Sequence, residues 1–346
     1  MQTNERRSFD RVLVGNHASS RVLTAVLIAA SWLLFVGCKR NAPVNSEPRP
    51  IGSRGTEPTA PSTLHELLAK PTADFERTDI ALGNLLCAQG LPGAEVANTQ
   101  ECLATLNEWA ERIKSETERH LYRFRKTPAE FDHSEGYFRM LMMAVVLSED
   151  FGVRYNPALV LSPEQLHTGD HFFADARDVF LHGLLRPGRL GTCSSMPVLY
   201  VAVGRRLGYP LKLVTTKAHL FVRWEGAGER FNLEATGRGM NRYDDAHFKQ
   251  WPFPVTDEEI KAEGYLKSLT PAEELAVFLS IRGQCLTEAG RLADAAHDYA
   301  EAVRLVPAAR GYRLLLADAQ QKLQLASRSN DAQFTPQEPQ LIFRKD

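Results

Sequence analysis

Residues Gly191-Thr192-Cys193-Ser194-Ser195-Met196-Pro197, running on into Val198-Leu199-Tyr200-Val201-Ala202-Val203-Gly204-Arg205-Arg206-Leu207-Gly208, decide how the rest of the chain is read. Met196, Leu199, Val203 and Leu207 recur at helical spacing, Ser and Thr ahead of them suit a helix start, and Gly208-Tyr209-Pro210 supplies a stop. The pattern predicts an amphipathic helix with Cys193 in its first turn. Unpaired amides at a helix N-terminus carry partial positive charge and favour thiolate over thiol. Cys193 is therefore the candidate nucleophile.

Downstream, the periodicity changes from helical to alternating. Residues 211–215, 219–224 and 230–234 read as strands, with Gly226-Ala227-Gly228 as a hairpin turn between the last two. Alternation puts His219, Phe221 and Arg223 on one face of the second strand, and Arg230, Asn232 and Glu234 on one face of the third. Antiparallel neighbours of this kind set His219 beside Glu234 or Asn232. Thiol catalysis needs a base to take and return a proton, and a third group to fix the tautomer and orientation of that base. Cys193, His219 and Glu234 supply the three types in that order.

Gly191-Thr192-Cys193 at a helix start, Ala218-His219-Leu220-Phe221-Val222 and Phe231-Asn232-Leu233-Glu234 together resemble the core of the transglutaminase-like family, within the papain-like cysteine-protease superfamily. The resemblance covers residues 188–239. It implies an α+β fold, a helix packed on an antiparallel sheet, with Cys193 as nucleophile, His219 as general base and acid, and Glu234 as orienting acid. The family more often has Asp at the third position, so Glu234 is a departure, with Asn232 on the same strand face as the alternative orienter. The Cys193 amide is the expected first oxyanion donor.

Other chemistries lack their motifs. The cysteine-phosphatase loop needs Arg after five intervening residues, where Leu199 stands. No CxxC, HExxH, Gly-x-Ser-x-Gly or Walker sequence occurs, and the scattered histidines show no metal-ligand spacing. Neither metal nor cofactor is predicted.

Outward from the core, the N-terminus stands apart. Arg6, Arg7, Arg11 and Arg21 precede an apolar run from Val22 to Gly37 that ends at Cys38, a basic and then apolar signal arrangement over residues 1–38. Phe35-Val36-Gly37-Cys38 resembles a bacterial lipoprotein box, which implies lipidation at Cys38; an uncleaved signal anchor is the other reading. Either one predicts a bacterial cell-envelope location, membrane-anchored and facing outside the cytoplasm. Residues 39–63, rich in Pro, Ser, Asn and Gly, read as a flexible tether. Residues 64–151 show helical spacing and predict a helical subdomain of three or four helices, and residues 152–255 hold the core. Cys87 and Cys102 flank a helix-to-helix turn and stand either as a disulfide or as two buried thiols.

The chain has 346 residues, with 41 Lys and Arg against 42 Asp and Glu. That balance excludes a global nucleic-acid partner, and the basic and aromatic run 118–126 reads as a solvated helix face. Residues 270–325 resemble tetratricopeptide-type helices, with Gly283, Leu286, Gly290, Ala295, Tyr299, Ala302 and Pro307 at the family's positions, and residues 326–346 read as a loose tail. Cys285 is expected in the core. The function expected from all this is a membrane-tethered thiol enzyme acting on an amide or peptide bond of a peptide or protein substrate, with hydrolysis favoured over transfer. The alternative is a non-catalytic binding module that recruits an envelope partner through its helical C-terminus.

Overall fold

The computed structural model describes residues 60–160, 171–237 and 239–333, with backbone only for 329–333. The expected signal segment, Cys38 and most of the expected tether lie outside the described residues. The chain from Thr59 onward forms one compact unit of mixed α and β structure. The pieces read separately in the sequence share one apolar core, which runs from Leu67 to Ala319.

The first half is helical. After α1 (Leu64–Leu68) come α2 (Ile80–Ala88), α3 (Thr99–Lys126) and α4 (Glu135–Val145). Each starts on a side-chain cap: Thr63, Asp79, Asn98 and Ser134 accept from the amides of the first turn, as those residue types do at helix starts. Helix α3 ends on Arg123, Arg125 and Lys126, cations that suit the negative end of its dipole. Cys87 and Cys102 are free, buried thiols and make no bridge. Burial pushes both thiols above the usual cysteine range, so they behave as small apolar core groups.

Strand β1 (Arg154–Tyr155) and strand β2 (Leu190–Gly191) pair in parallel, with the short helices α5 (Ala176–Val179) and α6 (Leu181–Leu184) between them. Helix α7 (Met196–Arg206) follows. Its expected amphipathic character is not what forms: every residue from Met196 to Gly204 is buried. Helices α2, α3 and α6 and the sheet pack around α7, so it is a central helix rather than a surface one. Gly204 admits Leu211, whose side chain would lie 2.2 Å from an added Cβ.

The main sheet has four antiparallel strands in sequence order: β3 (Leu211–Thr216), β4 (His219–Gly226), β5 (Glu229–Glu234) and β6 (Asn241–Tyr243). Ala227 and Gly228, both with positive φ, close the β4–β5 hairpin in the manner of a type I′ turn. Leu220, Val222 and Trp224 join the main core, whereas Phe221 belongs to a small second cluster with Val214 and Phe248. The faces alternate as the sequence predicts. Helices α8 (Asp245–Gln250) and α9 (Asp257–Glu263) then lead to α10 (Pro271–Glu288), α11 (Leu292–Leu305) and α12 (Arg310–Gln333). Both α9 and α10 open on capping boxes, Thr256 with Glu259 and Thr270 with Glu273.

The C-terminal helices are tied to the rest by buried charge. Arg205 of α7 makes a fork of hydrogen bonds, 3.0 and 2.6 Å, to the Glu274 carboxylate on α10. Arg282 donates to the carbonyls of Cys87 and Gln89 and pairs with Asp298 at 2.9 Å. Cys285 is buried among these helices. Helix α12 continues to Gln333, so the loose tail does not begin at residue 326. The stretch 326–333 contains neither Gly nor Pro to stop a helix that is already propagating.

Candidate active site

Cys193 sits in a hydrogen-bonded turn immediately ahead of α7. The Thr192 carbonyl accepts from the Ser195 and Met196 amides, so the helical bonding starts one turn before the regular helix. Two buried hydroxyls lock this turn. Thr192 Oγ1 accepts from the Ser194 amide and donates to the Asp178 carbonyl at 2.8 Å. Ser195 Oγ accepts from the Thr192 amide and donates to the same carbonyl at 3.0 Å. The Ser and Thr that suggested a cap therefore fasten the cysteine turn to α5. Cys193 alone of residues 191–204 is not buried. Its amide donates to no group among the described residues, which leaves it free for a ligand oxygen.

His219 opens β4, directly after Ala218, which holds a left-handed φ of 59°. The ring is buried, and its Nε2 meets Glu234 Oε2 at 2.6 Å. The other carboxylate oxygen, Oε1, accepts from the amide and hydroxyl of Thr236. Both oxygens of the buried Glu234 are thus engaged. Burial by itself would push the His219 pKa down. The Glu234 charge, hydrogen bonding with the Cys193 and Glu234 side chains, and the charge on Cys193 outweigh it, and the pKa rises to about 10. With Nε2 committed to Glu234, Nδ1 is the ring nitrogen left for the thiol.

The structure brings Cys193, His219 and Glu234 together. It does not give Asn232 to His219: Asn232 Oδ1 accepts from Arg223 at 2.7 Å, and its amide nitrogen donates to Asp245 and to the Tyr243 carbonyl. Arg223, 1% exposed, also donates to Asp245 at 2.7 Å and to the Leu266 carbonyl. This network fixes the start of α8. Phe248 in that helix stacks on Phe221 at 3.8 Å, and Trp251 just beyond it meets the His219 ring edge to face at 4.6 Å. Tyr243 stacks on His247 at 3.9 Å beside Trp251. The aromatic cover shields the His219–Glu234 contact from water, which strengthens it.

No family model, curated protein or solved structure matches the chain. Among the described residues no group of three or more His, Cys, Asp or Glu side chains is arranged to hold a metal ion. The arrangement offers an accessible thiol, an imidazole favouring its protonated form at neutral pH, and a carboxylate holding that imidazole. Such a set suits thiolate attack on a carbonyl carbon, followed by proton delivery to the leaving group.

Sequence reasoning missed several contributors. Trp251 follows no motif, and Asp245 carries no local mark that it will neutralise a buried arginine 22 residues earlier. Thr236 was legible in part, since a hydroxyl residue two positions after a carboxylate is placed to bond it locally.

Proposed function

We propose that this chain is an exported, membrane-tethered thiol enzyme of the transglutaminase-like type, acting on an amide or peptide bond of a peptide or protein. The observation that carries the proposal is the buried His219 imidazole, its Nε2 held 2.6 Å from Glu234 and its charged form favoured by both Glu234 and Cys193. Attack needs the sulfur as its thiolate, with protonated His219 facing it. The sulfur attacks the carbonyl carbon, the carbonyl electron pair moves onto oxygen, and the Cys193 amide stabilises the oxyanion. On collapse the C–N bond breaks, His219 gives its proton to the departing amine, and an acyl-thioester remains. Neutral His219 then takes a proton from water, whose oxygen attacks the thioester and restores the thiolate. An amine in place of water makes the reaction a transfer; hydrolysis is favoured because water is always present.

Export and tethering rest on residues 1–38 of the sequence, with Cys38 as the lipidation site. Among the described residues no helix is long and apolar enough to cross a membrane. The C-terminal helices α10–α12 are the surface proposed for a protein partner. The test is alkylation by iodoacetamide. Selective modification of Cys193 near neutral pH, lost in His219→Ala, supports the enzyme. Modification only at alkaline pH, indifferent to that substitution, sinks it in favour of a binding module.

A further inference from the structure

We propose that Tyr155 is a catalytic residue of this site, its hydroxyl being the second oxyanion donor beside the Cys193 amide. The inference rests on the thiol-enzyme reading above and deepens it. Strand β1 pairs in parallel with β2 so that Tyr155 lies opposite Gly191, two residues before Cys193. The Asn156 amide donates to the Gly191 carbonyl at 2.8 Å, and the Asn156 side chain donates to Asp178, whose carbonyl also holds Thr192 and Ser195. Tyr155 and the cysteine turn are therefore fastened to one frame, with little freedom to drift apart.

The Tyr155 ring is partly buried, yet among the described residues its hydroxyl has only a long contact, 3.4 Å, with the Leu159 carbonyl. That is well outside the usual range of about 2.5–3.0 Å for such a bond. A phenol proton held this loosely is available to another acceptor. Burial raises the Tyr155 pKa above the ordinary phenol value, and the charges on Cys193 and then Glu234 raise it further, so the hydroxyl sits where negative charge on the sulfur is felt and stays protonated. A neutral donor carried on the same frame as the cysteine turn is what a developing oxyanion needs. The Cys193 amide, which has no acceptor among the described residues, supplies the other arm.

Two reagents separate this role from the alternatives. Iodoacetamide alkylates sulfur with no oxyanion. p-Nitrophenyl acetate forms a bond between Sγ and the acetyl carbon, passes through a tetrahedral oxyanion, and releases p-nitrophenolate with the electrons of the broken C–O bond. Both are applied to the full chain, with modification of Cys193 followed by mass and corrected against Cys193→Ala. Tyr155→Phe is expected to slow acetylation by about 100-fold, the loss typical of one oxyanion donor, while alkylation keeps its wild-type rate and so also reports an intact site. Equal slowing of both reactions would assign the hydroxyl to the sulfur instead and overturn the proposal. No change in either would make Tyr155 a spectator. If wild-type Cys193 reacts selectively with neither reagent, the thiol-enzyme reading fails first and takes this assignment with it.

Discussion

Replacing Glu234 by Gln tests the site at its least conventional member. The amide keeps the length of the side chain and an oxygen to accept from His219 Nε2, but it removes the charge. In the native protein that charge, 2.6 Å from the ring, chiefly opposes burial and brings the His219 pKa to about 10. Without it burial prevails, and the pKa falls toward or below the ordinary value of about 6.5. That withdraws on the order of 5 kcal/mol of preference for the imidazolium. At pH 7 the protonated ring facing Cys193 is then a minor species. Iodoacetamide alkylation of Cys193 at pH 7 is expected to drop by more than about tenfold, a loss equivalent to about 1.4 kcal/mol. Stability gives a second reading. A proton bound more tightly in the folded state stabilises fully below about pH 6.5, and that stabilisation is lost as pH rises through about 10. The urea midpoint of the wild type should therefore fall across this window, and the midpoint of Glu234→Gln should fall less. A Gln variant with the wild-type alkylation rate at pH 7, and a His219 ring signal titrating unchanged by NMR, would refute the reasoning.

Three further outcomes are expected. Ala218→Gly relieves the left-handed φ just before His219 and should raise stability by about 0.5–1 kcal/mol, read as a higher urea midpoint at unchanged slope. Asp245→Ala leaves the Arg223 guanidinium, 1% exposed, without its carboxylate. It should cost about 3 kcal/mol in urea unfolding, the lower end of the range for an orphaned buried charge because Asp245 itself is partly exposed. In a Cys38→Ser background, Ellman's reagent should titrate one thiol rapidly under native conditions and three more only in denaturant, since Cys87, Cys102 and Cys285 are buried and Cys193 is not.

What the sequence disclosed and what it withheld follow from the range of the interactions concerned. The strands at 211–216, 219–226 and 229–234 are legible because side chains alternate along an extended chain, and the hairpin between the last two is legible from its small turn residues. The helix after Cys193 is legible too, but not its burial. A stripe at Met196, Leu199 and Val203 suggests one apolar face, whereas Val198, Val201 and Ala202 fill the gaps in that stripe and are buried as well. A run this apolar was itself a sign of a central helix. Tyr155, Trp251 and Asp245 were hidden because β1, the segment after α8 and α8 itself reach the site only through tertiary packing, which no local pattern encodes.

The choice of Glu over Asp was legible as a departure and becomes intelligible in the register. Strands β4 and β5 pair Val222 with Leu233 and Arg223 with Asn232, so by the same count Glu234 falls opposite Phe221, two residues from His219. The pair is diagonal rather than direct. Diagonal neighbours stand about 7–8 Å apart, against about 5 Å for residues directly opposite, and a longer side chain is needed to close that distance. The extra methylene is thus the length that lets the carboxylate reach Nε2, while Thr236 holds its other oxygen against the recoil of so flexible a side chain. Asn232, one same-face position farther from His219, stands opposite Arg223 and accepts a hydrogen bond from its guanidinium instead. The register assigns the two polar residues of β5 to different tasks, one to the imidazole and one to the scaffold that carries Trp251 over it.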